Sequence, residues 1–126
     1  MIDHLIITVS EFEKSRDFYQ KALKPLGFKA TPEFVWGTNK ARGVGFGMED
    51  MEFFVVGGPA VKPAVHLAFR VATRAEVTAF YQAALAAGGR DNGAPDLNAE
   101  HHADYFSAYV FDPDGHNIEV VCHEPE

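Results

Sequence analysis

The sequence predicts a duplicated α+β domain, and three observations predict it. A strand followed by a helix opens the chain, the same pattern returns 62 residues later, and a strand near the C-terminus echoes one near the middle. The first copy begins at Asp3 to Val9, where Leu5, Ile7 and Val9 share one face and His4, Ile6 and Thr8 the other, because side chains alternate with period two. Ser10 and Glu13 have the spacing of a capping box for a helix lined by Phe12, Tyr19 and Leu23 and ended by Pro25 and Gly27. From Phe28 to Val56, short apolar segments broken by Pro32, Gly37, Gly43, Gly45 and Gly47 predict three strands in a meander, of which Met51 to Val56 is the clearest. Gly57, Gly58, Pro59 and Pro63 then predict a linker.

The second copy runs from Val65 through Val71. It continues with Thr73 and Glu76 at capping spacing and a helix carrying Val77, Phe80, Tyr81, Ala84 and Leu85, which Gly88 and Gly89 end. At the offset of 62, His4 falls on His66, Leu5 on Leu67, Val9 on Val71, the run Phe18, Tyr19, Gln20 on Phe80, Tyr81, Gln82, and Gly27 on Gly89. So many identities at one spacing indicate a duplicated unit, with repeats over about 1–58 and 63–124 inside a single domain, 1–126. The ends of the halves match at an offset of 67, which lays Glu52 over Glu119. The five-residue difference is expected as an insertion between Arg90 and Asp104, a Gly, Pro, Asn and Asp-rich stretch that reads as a loop over an active site.

The densest stretch is Phe111 to Val121. Asp112, Pro113, Asp114 and Gly115 are turn chemistry and predict a hairpin hinge. In the strand that follows, Ile118, Val120 and Cys122 take the core face and Asn117, Glu119 and Val121 the other. An ionised carboxylate removed from water without a partner costs several kcal/mol, so Glu119 is expected to be solvated or paired.

Composition narrows the function. A formal charge of −7 with no Lys or Arg cluster repels phosphate backbones and excludes nucleic acid as a partner, while suiting a cation. The lone Cys122 rules out an internal disulfide framework. No apolar run approaches membrane-spanning length and no basic-then-apolar leader opens the chain, so the expected location is cytoplasmic.

A pseudo-twofold relation between the copies would gather His4, Glu52, His66 and Glu119, and strand parity puts all four opposite their apolar neighbours. Imidazole and carboxylate together are a ligand set for Zn²⁺, Ni²⁺, Mn²⁺ or Fe²⁺. A strand His is also an ordinary hydrogen-bonding residue, and Glu52 beside Asp50 also reads as solvated charge at a strand start. His101, His102 and His116 read as polar surface residues in or beside loops, and Trp36, Phe46 and Phe54 as core or pocket wall.

The segments DHLIITVS with FYQKAL, VHLAFRV with FYQAAL, and FDPDGHNIEVV resemble the vicinal oxygen chelate superfamily, the family of glyoxalases, bleomycin resistance proteins and extradiol dioxygenases. The resemblance implies two tandem βαβββ modules forming an incomplete barrel-like cup, and one divalent metal held by His4, His66 and Glu119. It also implies Glu52 as a fourth ligand in glyoxalase-like members, and a homodimer. By the same resemblance, a small substrate chelates the metal through vicinal oxygens and reacts by lyase or isomerase chemistry through an enediolate, with Glu52 able to act as base. The alternatives are an extradiol ring-cleaving dioxygenase with Tyr109, ten residues before Glu119, as proton donor, and a non-enzymatic drug-binding protein of the bleomycin-resistance type. Thr8 and Val56 stand where glyoxalase I has its glutathione-binding Arg and Asn, and Met51 stands where the dioxygenases carry an upstream His.

Overall fold

In the computed structural model, which describes residues 1–126, the first copy opens with strand β1 (Leu5–Val9) and helix α1 (Phe12–Leu23). Phe12, Phe18, Tyr19, Ala22 and Leu23 bury one stripe of α1. A short 3-10 turn, Lys24–Leu26, carries Pro25 at its start, and Gly27 at φ 83° turns the chain away, a conformation glycine reaches without a Cβ clash. Strands β2 (Lys29–Ala30), β3 (Phe34–Trp36), β4 (Ala41–Gly47) and β5 (Met51–Gly57) follow. β5 pairs parallel with β1 and antiparallel with β4, whose far edge is shared by β2 and β3. The expected three-strand meander is therefore present with its first strand split in two. Pro32 has no N–H to continue that edge, and Thr31 bridges the break by accepting from Gly45 N through its hydroxyl at 2.9 Å.

The second copy is β6 (His66–Val71), α2 (Arg74–Ala86), β7 (Arg90–Leu97), β8 (Phe106–Phe111) and β9 (Asn117–Cys122), in sheet order β6-β9-β8-β7. Both copies are thus βαβββ units with a parallel first-to-last pairing, and no strand ladder joins the two sheets. Helix-side residues of both sheets, including Ile7, Val9, Val55, Val110, Ile118 and Val120, meet the helices in one core. Phe69 stitches the halves together, with its ring 5.6 Å from that of Phe28 and 5.7 Å from that of Phe53.

Two local expectations are corrected here. Ser10 and Glu13 form no capping box: α1 is preceded by Glu11 without a side-chain cap, and Ser10 gives both its N–H and its hydroxyl to Asp114 across the molecule. The box at Thr73 and Glu76 is present, with Glu76 N donating to Thr73 Oγ1 at 3.2 Å. The stretch from Arg90 to Asp104 is mostly strand, not loop. β7 pairs with β8 through register shifts at Asp91/Gly93 and Gly93/Asp96, and as the outermost strand it tolerates Pro95.

The Asp112–Gly115 turn is built around one buried carboxylate. Asp112 accepts from Asp114 N at 3.0 Å, from His116 N at 2.8 Å and from the Tyr19 hydroxyl at 2.5 Å. His116, expected at the surface, is 1% exposed and its Nδ1 accepts from Val65 N at 3.0 Å, which ties the turn to the start of β6. Burial, and then the Asp112 charge, hold the Tyr19 phenol well above its usual range.

Candidate functional site

Each sheet keeps one face on the helices and leaves the other open, and the polar residues singled out in the sequence stand on the open faces. On the second sheet, β9 places Glu119 beside Ala68 of β6 and Tyr109 of β8. The Glu119 side chain is 3% exposed, and two groups offset the cost of burying it. His66 Nε2 lies 2.9 Å from Oε1, and the Tyr105 hydroxyl donates to Oε2. The expectation that Glu119 is solvated or paired resolves as paired. Burial first, and the Glu119 bond second, hold the Tyr105 phenol above its usual range, so it remains a donor. Tyr109 stands with its ring 6.2 Å from that of His66, and its hydroxyl accepts from Ser107 Oγ at 3.3 Å.

Tyr105 is the residue that sequence reasoning missed. It lies one step before β8, in phase with Ser107 and Tyr109 and out of phase with buried Ala108 and Val110, so extending that alternation backward by one residue is the signal that finds it. His101 and His102 wall its ring at 4.7 and 5.5 Å. His102 Nδ1 accepts from Asp104 N, which places the neutral-ring proton on Nε2, 2.8 Å from His123 Nδ1. These histidines brace the 98–105 turn.

On the first sheet, His4 precedes β1. Its Nδ1 is 2.5 Å from Asp3 Oδ1 and its ring meets the edge of Phe54 at 5.7 Å. Glu52 is exposed near the start of β5. The strand registers correct the expected superposition of Glu52 on Glu119. Leu5 pairs with Phe53 and Leu67 with Ile118, so β5 and β9 correspond at an offset of 65, which puts Glu119 in the place of Phe54 and Glu52 in the place of Asn117. The contact of His4 with Phe54 is the repeat counterpart of that of His66 with Glu119. Within the chain, the structure brings His66, Glu119 and Tyr109 together. It does not bring His4 or Glu52 to them, and no three His, Cys, Asp or Glu side chains converge to hold a metal. The donor chemistry nevertheless fits a divalent cation in two halves: an imidazole and a carboxylate on the second sheet, an imidazole on the first.

This duplicated fold is matched over residues 1–120 by the family model of the Glyoxalase/Bleomycin resistance protein/Dioxygenase superfamily, and the chain belongs to that superfamily. Among solved structures, it is similar to a glyoxalase/bleomycin resistance protein from Albidiferax ferrireducens, with 24% identity, 98% of each chain covered and a TM-score of 0.74. A glyoxalase I mutant from Zea mays matches at 15% identity and TM-score 0.72, over 99% of this chain and 45% of that one. The genomically encoded fosfomycin resistance protein FosX from Listeria monocytogenes matches at 17% identity and TM-score 0.67, over 97% and 90%. No curated protein matches by sequence. No helix is long and apolar enough to cross a membrane.

Proposed function

We propose that the chain is a divalent-metal-dependent enzyme that acts on a small molecule presenting two neighbouring oxygens, by isomerase or lyase chemistry that moves a proton. The observation that carries this reading is the His66–Glu119 pair, a half-exposed imidazole held 2.9 Å from a buried carboxylate on an open sheet face. His66 and Glu119 of one subunit would hold the ion with His4 of a second subunit, the ion being Zn²⁺, Ni²⁺, Mn²⁺ or Fe²⁺. Such an ion, when bound, polarises substrate oxygens and stabilises negative charge that develops on them.

Three features support a homodimer. β1 and β6 are both edge strands with an unpaired ladder side. Leu5, at the start of β1, is 37% exposed. The chain exposes 7270 Å², against about 6,700 Å² expected for a monomer of 13.9 kDa. In this reading Glu52 is the base that takes a proton from substrate carbon, since it is an exposed carboxylate with no place in the Glu119 network, and Tyr109 donates toward substrate oxygen. Tyr105 keeps Glu119 in position. The buried free thiol of Cys122 accords with a cytoplasmic protein.

One observation favours a second reading, ring-opening oxygenation. With Phe54 in the repeat place of Glu119, the equivalent positions supply only three ligands, His4, His66 and Glu119, and such a set leaves open positions for substrate and O₂. The test is elemental analysis of untagged protein and of His66→Ala, followed by assays of catechols for oxygen uptake and of aryl 2-oxoaldehyde adducts of an uncharged thiol for isomerisation. Metal in the parent, none in the variant, and turnover with a redox-inert ion that Glu52→Gln abolishes are the expected results. Absence of affinity for any divalent ion in the parent overturns the enzyme reading in favour of a drug-binding protein.

A further inference from the structure

On the open face of the first sheet, beside His4, lies a cavity of about 340 Å³ walled by Ile6, Phe34, Trp36, Phe54 and Val56. Two glycines make it. Gly45 pairs with Phe54 and Gly43 with Phe34, and each aromatic ring takes the space its partner's side chain would fill. A Cβ on Gly43 would stand 2.6 Å from Phe34 Cε1, and one on Gly45 2.6 Å from Phe54 Cε1, closer than real contacts allow. With side chains there, both rings, which wall the cavity, would have to shift. Phe34 and Phe54 meet edge to face at 6.2 Å, Phe54 meets His4 at 5.7 Å, and Trp36 stands 48% exposed at the rim. The wall is therefore aromatic on three sides, and a candidate metal ligand stands at its end.

The charges near the cavity say what it takes. Its only polar lining groups are Asp3 and His4, and no Lys or Arg lines it. Arg42, the basic residue adjoining this part of β4, is turned to the helix side, where it pairs with Glu13 and Glu33 and covers the Phe12 ring. A phosphonate or carboxylate seated among the aromatic walls would lose its hydration with no basic side chain to replace it and with Asp3 nearby, whereas an uncharged ring stacks edge to face. We infer that this cavity binds the uncharged aromatic ring of the substrate and so restricts the enzyme to aromatic compounds, such as catechols or aryl ketols, and against anionic thiol adducts and phosphonates. The inference rests on the proposed function for the two oxygens presented toward His4. The ring-binding part stands on the cavity alone.

Trp36, the only tryptophan, reports on its own pocket. The experiment is titration of Trp36 fluorescence in full-length protein stripped with EDTA, using catechol as the neutral ring and phosphonoacetate and glutathione as anions. Saturable quenching by catechol alone is expected. Gly45→Ala should weaken it by about tenfold or more, whereas Gly58→Ala, whose Cβ would meet only ordinary contacts, leaves it unchanged. Ile6→Arg, at a part-exposed position, should abolish the catechol response and create one to phosphonoacetate, which keeps the test valid if Gly45→Ala folds poorly. No saturable response to catechol, an equal response to the anions, or emission that follows protein concentration and ignores ligand, as a second copy seated on the patch would give, each overturns the inference. Because the titration is metal-free, catechol binding without metal affinity sinks the enzyme reading and leaves the pocket, while metal affinity without catechol binding sinks the pocket alone.

Discussion

Glu119 decides what the second sheet can do, because a carboxylate this deep is tolerable only while both oxygens are occupied. His66 is exposed enough to exchange its partner for a cation. Tyr105 is not, and it makes the more informative variant. Tyr105→Phe removes one donor from a buried anion, which costs about 1–3 kcal/mol, and removes the group that orients a ligand, which typically weakens metal affinity about 10- to 100-fold. We expect a lower urea midpoint with an unchanged slope, and weaker metal binding by calorimetry, while the His66 ring keeps its place. The alkaline limb is a second readout. Tyr105 has a raised folded value, so its contribution is complete below the ordinary phenol range near 10 and is lost as pH climbs through the higher folded value. Ultraviolet titration should therefore show one late-ionising phenol fewer in Tyr105→Phe than in the folded parent, Tyr19 remaining late in both. Glu119 was legible from alternation with Ile118 and Val120. Tyr105 was legible only by carrying the β8 alternation one residue beyond the strand, and its bond to Glu119, fourteen residues away, was not legible at all.

At the level of elements, the turn between β8 and β9 holds more than a hairpin together. Asp112 binds two backbone N–H groups of its own turn and the hydroxyl of Tyr19 on α1, and Asp114 binds Ser10 at the head of that helix, so one turn of the second copy anchors the helix of the first. We expect Asp112→Ala, which strands these donors in a buried place, to cost roughly 3 kcal/mol or more, and Tyr19→Phe about 1–2 kcal/mol, both read from urea unfolding at constant slope. The turn type was readable from Asp-Pro-Asp-Gly, but its anchoring role depends on contacts a hundred residues apart. The same limit explains the register. Offsets of 65 and 67 keep every residue on the same face, so alternation cannot tell them apart, and only the ladders show that Phe54, not Glu52, answers Glu119. β7 escaped detection because Gly93, Pro95 and its Asp and Asn residues have the composition of a loop. An edge strand with two register shifts tolerates all of them.

For the whole molecule, the duplication was legible from the identities at one offset, but how two half-sites become one site was not, since it concerns faces on separate sheets. His4 stands at the start of one edge strand, β1, and His66 at the start of the other, β6, with Glu119 on the neighbouring β9, and no ladder joins the two sheets in the chain. If a second copy joins the edges, each site takes His4 from one subunit and His66 with Glu119 from its partner, and the arrangement can be tested by mixing defects. In His4→Ala and His66→Ala homodimers every site lacks a ligand. A dimer with one of each subunit has one site missing both histidines and one site intact. Unfolding and refolding the two variants together should therefore restore about a quarter of the parent's metal sites under random pairing, half the dimers being mixed and each carrying one good site of two. The readout is ion content after gel filtration, and light scattering should show the dimer mass. If instead the ligands of one chain closed on each other, mixing could restore nothing, because every chain in the mixture would still lack one histidine.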